Sequence, residues 1–130
     1  MAAGLEKLNF IDNASIATRS DHYLNVTVDV TKIIKSWRMS LFSYEWMRSD
    51  GKIKETKELP ATEQPKRAAV EERLIRGESL EKPVLGIGLL ENVEFGAGRA
   101  VFLTLAALGA KKIPVHIPKT HADDFSPFLT

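Results

Sequence analysis

Two glycines and an arginine lie between two apolar runs in the stretch VEFGAGRAVF, which covers residues 93–102. Glycine lets the backbone approach a ligand closely and adopt a positive φ. The N–H groups that open a helix attract anions, and an arginine can add a bidentate contact to phosphate. We therefore interpret Gly96, Gly98 and Arg99 as a candidate phosphate-binding turn. The alternative is a plain corner between a strand and a helix, because Gly-x-Gly-Arg without a following Lys-Ser/Thr is a weak motif.

Two acidic residues, Glu91 and Glu94, flank a loop next to this turn. Paired carboxylates can act as a general base or hold Mg²⁺. Together with Arg99 they would suit a nuclease or nucleotidase that requires a divalent cation. The alternatives are that they solvate a loop, or that one of them pairs with Arg99 at a structural corner.

The remaining His and Asp residues do not predict a metal centre. His22 stands alone at the start of a strand. The spacing of the C-terminal group suggests no third or fourth zinc ligand, and its two aspartates suit the start of a short terminal helix; this group comprises His116, His121, Asp123 and Asp124. We expect no metal and no cofactor, except a divalent cation if the nuclease interpretation holds.

Basic residues concentrate in the middle of the chain, although the net charge is only +1. Eleven basic and seven acidic residues lie between positions 31 and 76. Side chains that could contact nucleic-acid phosphates are Lys66, Arg67, Arg73 and Arg76, with Lys52, Lys54 and Lys57 nearby. A solvated face of mixed charge is the alternative interpretation.

Three aromatic residues alternate along SLFSYEWM: Phe42, Tyr44 and Trp46. This period of two predicts a strand, the Asp50-Gly51 pair predicts a tight turn, and the lysine-rich return predicts an exposed edge strand. Together they predict a β-hairpin over about residues 40–59. Its aromatic face could stack bases, dock a protein partner or a second copy of the chain, or pack into the core.

The other elements follow from hydrophobic period and end signals. HYLNVTVDV predicts a strand over 22–30, and Thr31 is a plausible N-cap for the helix that follows. Thr62 and Gly77 bracket a helix with the stripe Val70, Leu74 and Ile75. An apolar strand over 82–90, a helix that ends at Gly109 and a strand over 113–118 come next, before a turn and a short helix. This order predicts an α/β domain with a mixed sheet.

The words RGESLEKPVLGIG, GAGRAVFLTLAALG and KKIPVHI, in this order and spacing, resemble the ParB/sulfiredoxin-like superfamily over about residues 63–117. The opening VDVTKIIKSW is loosely similar to plasmid fertility-inhibition proteins of that fold. The resemblance implies a ParB/sulfiredoxin-like sheet to which the hairpin is added. It also implies that the glycine turn, written DGxHR or GERR in the family, contacts the phosphates of a nucleotide or of DNA.

The turn departs from the family pattern at the positions of the family's functional side chains. The family aspartate corresponds to Ala97, and the His-Arg pair to Ala100 and Val101. Sulfiredoxin chemistry needs a cysteine, and the chain has none. The resemblance therefore implies an accessory or binding protein of a bacterial genome or mobile element, without the family's usual catalysis.

Length and composition suit one domain spanning residues 1–130, with 44% hydrophobic and 27% charged residues. No apolar run reaches the roughly 18 residues of a membrane-crossing helix, and MAAGLEKLNF does not resemble a secretory signal. We expect a cytoplasmic protein with no membrane partner.

Overall fold

Two β-sheets and four α-helices form the fold in the computed structural model, which describes residues 8–130. The strands are β1 (Phe10–Ile11), β2 (Tyr23–Asp29), β3 (Leu80–Glu81), β4 (Val84–Ile87), β5 (Val93–Ala97) and β6 (Lys112–Pro118). The helices are α1 (Val30–Trp37), α2 (Gln64–Ile75), α3 (Arg99–Ala107) and α4 (Ala122–Phe125). Residues 1–7, on which the expectation of no targeting segment partly depends, lie outside the described residues.

The main sheet has the strand order β2-β6-β4-β5 and is mixed. β2 pairs antiparallel with β6 along its whole length, β6 pairs parallel with β4, and β4 pairs antiparallel with β5. The two-residue strands β1 and β3 form a separate parallel pair. The prediction of an α/β fold with a mixed sheet is therefore confirmed.

Local sequence signals account for most element ends. Asp29, rather than the predicted Thr31, caps α1, because its Oδ1 accepts the Lys32 N–H at 3.0 Å. The predicted ends of α2 and α3 at Gly77 and Gly109 are confirmed. At the start of α2, Pro65 lies in the first turn, but Thr62 is not the N-cap that the sequence predicts: Glu63 occupies that position, and no described side chain caps the helix.

The predicted hairpin over residues 40–59 is not formed. The chain makes turns, two short 3₁₀ helices (Ser43–Glu45 and Thr56–Glu58) and a single antiparallel bridge between Met47 and Ile53. The Asp50-Gly51 turn is present, with φ 88° at Gly51. The predicted strand fails because Trp46 is buried together with its neighbour Met47, whereas Phe42 and Tyr44 are exposed. A regular alternation would have placed the three aromatic side chains on one face.

The apolar run over residues 82–90 does not form one long strand. β4 ends at Ile87, the chain turns through residues 88–92, and β5 returns alongside it. Leu89 and Leu90 are exposed at the tip of this hairpin. Sequence analysis missed β5 because its five residues were assigned to a loop before the glycine turn.

An aromatic series links three elements around the glycine turn. The rings of Trp37 and Phe95 lie 5.2 Å apart, and those of Phe95 and Phe102 lie 5.1 Å apart. Trp37 and Phe102 are buried, so the series fixes α1, β5 and α3 relative to one another. No helix within residues 8–130 has both the length and the apolar character needed to cross a membrane.

Candidate functional site

Gly98 forms a sharp corner between β5 and α3. Its φ is 74°, and a Cβ at this position would lie 2.9 Å from the Pro83 Cα. Both the left-handed backbone and the close approach of another chain segment therefore require glycine. Gly96 carries no such requirement, because a Cβ there would lie 3.5 Å from the Val84 carbonyl oxygen. Of these two glycines, only Gly98 is therefore required by the backbone conformation and packing of the corner.

Arg99, the first residue of α3, is held by two carboxylates. Its Nη1 donates to Glu45 Oε1 at 2.8 Å, and its Nη2 donates to Glu63 Oε1 at 2.6 Å. Neither partner was expected, since the sequence suggested Glu91 or Glu94. Burial acts to lower the pKa of Arg99, but the hydrogen bonds to Glu63 and Glu45 outweigh it and raise the pKa, so the guanidinium stays charged.

Glu63 is the centre of this network, with a side chain only 4% exposed. Besides Arg99, it accepts the Trp46 Nε1–H at 3.0 Å and the Lys66 ammonium at 2.9 Å. Burial acts to raise the pKa of Glu63, but the hydrogen bonds from Trp46, Lys66 and Arg99 outweigh it and lower the pKa to about 2. Glu63 is therefore ionised at neutral pH and cannot exchange a proton there as a general acid or base.

An open cleft of about 440 Å³ lies beside the corner. It brings together the predicted Gly96, Gly98 and Arg99 with Glu63 and Lys66. The positive charges of Arg99 and Lys66 are balanced by the negative charges of Glu45 and Glu63. The N-terminus of α3 therefore borders an open cleft, but the two cations that line this cleft are already paired.

Glu91 and Glu94 do not meet Arg99. Glu91 lies in the turn of the β4–β5 hairpin with φ 60°. The Glu94 carboxylate accepts the Asn92 amide at 3.1 Å. The nuclease or nucleotidase arrangement predicted for these three residues is thus not assembled, and no three His, Asp or Glu side chains within residues 8–130 form a group that could hold a metal ion.

The predicted basic surface on α2 is largely neutralised. Lys66 pairs with Glu63, and Arg76 pairs with Glu72 at 2.6 Å. Arg67 is buried, with Nη1 donating to the Lys54 carbonyl at 2.9 Å, so its assignment to a nucleic-acid surface is wrong. Its guanidinium instead attaches α2 to the preceding segment through this hydrogen bond. Arg73 is exposed and donates to the Ser79 carbonyl at 3.3 Å.

The C-terminal histidines lie in separate environments. His121 Nδ1 lies 2.9 Å from Asp124 Oδ2, within one short helical turn. His116 is buried in β6, where its Nε2 accepts the Asn13 N–H at 3.1 Å. Burial lowers the pKa of His116, with a smaller opposing contribution from Asp12.

A second concavity, a groove of about 550 Å³ with a mainly apolar lining, lies between the loop after α1 and the β4–β5 hairpin tip. We call it the apolar groove. Its apolar lining consists of Met39, Leu41, Phe42, Leu89, Leu90 and Phe95. All of these except Phe95 are exposed, and Leu41 is 82% exposed. Such a concentration of exposed apolar side chains marks an interaction surface more often than a bare protein surface.

The predicted aromatic surface is divided by the structure. Phe42 lines the apolar groove, and Tyr44 is 68% exposed without lining it. Trp46 is fully buried and bonded to Glu63, so its assignment to an interaction surface is wrong. The indole contributes apolar area to the core, and its N–H needs a buried acceptor.

Fold and sites together define a small α/β domain with a mixed sheet, a charge-balanced cleft at a glycine corner and an exposed apolar groove. No family model matches the chain, and comparisons with curated proteins and with solved structures also find no match.

Sequence analysis missed the apolar groove and the acidic partners of Arg99. The groove joins residues 39–42 to residues 88–95, which are far apart in the chain. One signal was present: Glu91-Asn92 follows the apolar Leu89-Leu90 pair and precedes an alternating run, which is typical of a hairpin turn. No local pattern indicated Glu45 or Glu63.

Proposed function

We propose that the protein is a non-catalytic binding module that docks a partner protein through the apolar groove. The observation that carries this proposal is the collection of five exposed apolar side chains around one concavity: Met39, Leu41, Phe42, Leu89 and Leu90. Docking removes these side chains from water without disturbing the core beneath them.

The tip of the β4–β5 hairpin supports the proposal because one of its residues has an energetically unfavourable backbone conformation. Glu91 is the one non-glycine residue with positive φ within residues 8–130. Such a conformation costs on the order of 1–2 kcal/mol and is concentrated at binding sites. Here it accompanies a turn that exposes Leu89 and Leu90, and neither side chain contributes to the buried core.

The size of the groove suits a reversible complex. Burying one leucine or phenylalanine side chain contributes about 1.5–3 kcal/mol. Four such side chains supply roughly 6–12 kcal/mol, which is comparable to the 4–15 kcal/mol or more estimated for the cost of association. Additional polar contacts are therefore needed for tight binding.

A display selection tests this function. Random segments of roughly 15 residues, long enough for a marginal helix, are selected on the wild-type protein. Their binding is then measured on the Leu89→Ser/Leu90→Ser double variant and on Ile75→Ser. Ile75 is a matched control, because it is 85% exposed at the end of α2 and does not line the groove. We expect the double variant to weaken binding at least about tenfold, whereas Ile75→Ser leaves it unchanged.

Equal binding to all three proteins would reject the groove as the docking site. Size-exclusion chromatography with light scattering on the same variants identifies the case of a homodimer. A dimer that dissociates only in the double variant would make a second copy of the chain the partner.

We further propose that the chain is a degenerate ParB/sulfiredoxin-like protein of a bacterial genome or mobile element. Support comes from the succession of β4, the Gly98 corner, α3, Gly109 and β6, in the order of the family segments quoted above, although β5 lies between β4 and the corner. The cytoplasmic location stays a prediction.

Binding of phosphate, nucleotide or DNA at the glycine turn is the second candidate function. The open cleft beside the N-terminus of α3 favours it. The pairing of Arg99 with two carboxylates opposes it, because an incoming phosphate must compete with them. Calorimetry with CTP, ATP and short DNA, against Arg99→Ala, tests this candidate. Binding that is lost in the variant would support it, and the absence of binding to all three ligands would reject it.

A further inference from the structure

One carboxylate lies within the apolar groove. Glu94 is the only charged residue that lines the groove within the described chain. Its position is fixed from two sides. The Asn92 amide donates to its Oε2 at 3.1 Å, and a Cβ on Gly88 would lie 2.7 Å from its Cγ, so the side chain lies across the space left by that glycine.

Covering this carboxylate requires a positive group on the occupant. A carboxylate that loses water without a compensating partner is costly. Asn92 supplies one neutral hydrogen bond and no charge. A partner that buries Leu41, Phe42, Leu89 and Leu90 therefore gains most if it also brings a lysine or arginine to Glu94.

A partner strand is disfavoured at this site. Among residues 8–130, β5 is the last strand of the main sheet, so one of its edges has no neighbouring strand there. However, α1 occupies the start of that edge, where the Val93 N–H donates to Ser36 Oγ at 2.8 Å and Trp37 packs on Phe95. Addition of a strand would need this contact to open.

A second copy of the chain is disfavoured by charge. An isologous interface centred on the groove presents the same surface twice across a two-fold axis. It would bring the two Glu94 carboxylates toward each other in an apolar surrounding, where like charges repel strongly.

We propose that the apolar groove binds an amphipathic helix of a partner protein, and that a lysine or arginine on this helix pairs with Glu94. This inference rests on the proposed function. The chemistry of the occupant is apolar residues at helical spacing, for insertion between residues 39–42 and 88–90, beside one basic residue.

The test uses the full-length protein and two synthetic helical peptides of roughly 15 residues. Both carry leucines at i, i+3, i+4 and i+7; one has a lysine beside this stripe, and the other has norleucine there. Affinities are measured by fluorescence anisotropy for wild type, Glu94→Gln and Glu91→Gln. Glu91→Gln is the matched control, because it removes the same charge from the same hairpin but does not line the groove.

We expect the lysine peptide to bind wild type and to lose about tenfold in affinity on Glu94→Gln. The norleucine peptide should be insensitive to that change, Glu91→Gln should leave both affinities unchanged, and circular dichroism should show added helix on binding. Equal effects of Glu94→Gln on both peptides, or none on either, would overturn the basic-helix proposal while groove docking stands. Added strand signal, or a wild-type dimer that Glu94→Gln strengthens, would also overturn it.

Rejection of groove docking can be distinguished from rejection of the basic-helix proposal alone. If neither peptide binds, or if binding persists in Leu89→Ser/Leu90→Ser, then docking in the groove itself is rejected together with the basic helix.

Discussion

Glu63 is the residue on which the glycine corner most depends. Its buried carboxylate joins the indole of Trp46, the ammonium of Lys66 and the guanidinium of Arg99. These side chains come from the loop before α2, from α2 itself and from the start of α3. Removing the carboxylate takes a charged acceptor from the buried Trp46 indole and from the partly exposed Arg99 and Lys66 side chains, which costs more than the net contribution of the intact pair.

We predict that Glu63→Gln lowers the free energy of unfolding by about 3 kcal/mol. The amide can still accept from Trp46, but it cannot neutralise Arg99 and Lys66. Urea unfolding at pH 7 measures the change. Glu72→Gln is the control, because its pair with Arg76 is solvent-exposed and should contribute less than about 1 kcal/mol. Equal losses in the two variants would contradict the central position of Glu63.

The same residue predicts a pH dependence. The pKa of Glu63 is lowered from 4.5 to about 2 in the folded protein, so the unfolded chain binds a proton first as the pH falls. The stability that the ionised carboxylate contributes is therefore full above about pH 4.5 and is lost as the pH falls toward about 2. The difference in unfolding free energy between wild type and Glu63→Gln should shrink across this window, and a constant difference would contradict the lowered pKa.

At the scale of elements, the junction of β5 and α3 depends on Gly98. We predict that Gly98→Ala costs about 2–4 kcal/mol, since left-handed strain adds to a contact of 2.9 Å with Pro83. Gly77→Ala is the matched control: its φ is 70°, but a Cβ there has nothing within 4 Å. It should cost only the strain, about 1–2 kcal/mol. Denaturant unfolding measures both, and equal costs would contradict the close approach of Pro83.

The segment that contains Asn13 is attached to the sheet through a neutral histidine. His116 Nε2 accepts the Asn13 N–H, and the Asn13 amide donates to the Lys82 carbonyl at 2.9 Å. Protonation of Nε2 abolishes this acceptor. The charged groups that face the ring are Asp12, whose Oδ1 lies 3.9 Å from Nε2, and Lys82.

We predict that wild type loses stability between pH 7 and pH 5 relative to His116→Gln. Burial lowers the pKa of His116, so the unfolded chain takes up the proton first as the pH falls through about 6.5. Glutamine keeps an acceptor near Nε2 and does not titrate. Urea unfolding at both pH values measures the difference, and parallel behaviour of the two proteins would show that the histidine does not titrate in this way.

Helices and strands that depend on neighbouring residues could be predicted from the sequence. Features that bring together distant segments of the chain could not. The strands β2 and β6 and the helix α3 follow from local periodicity and end residues. The alternation of Phe42, Tyr44 and Trp46 was misleading, because burial of Trp46 depends on Glu63, 17 positions away. The corner at Gly98 was visible as a motif, whereas the carboxylates that neutralise Arg99 lie 36 and 54 positions away.

At the scale of the whole molecule, the two candidate sites differ in whether their side chains already have partners within the chain. In the cleft at Gly98 the charges are already paired within the chain. In the apolar groove, the leucines and Phe42 are exposed within the part of the chain that the structure describes. The surface that would gain most from a ligand is therefore the groove.

The most direct test of docking is a map of the bound surface by nuclear magnetic resonance, for which a 14.5 kDa protein is well suited. Isotope-labelled wild type is titrated with the lysine peptide, and amide shifts are followed along the chain. We predict that the largest changes occur at residues 39–42 and 88–95 and disappear in Leu89→Ser/Leu90→Ser. Changes centred on residues 96–101, or on the exposed face of α2 around Ile75, would contradict docking in the apolar groove.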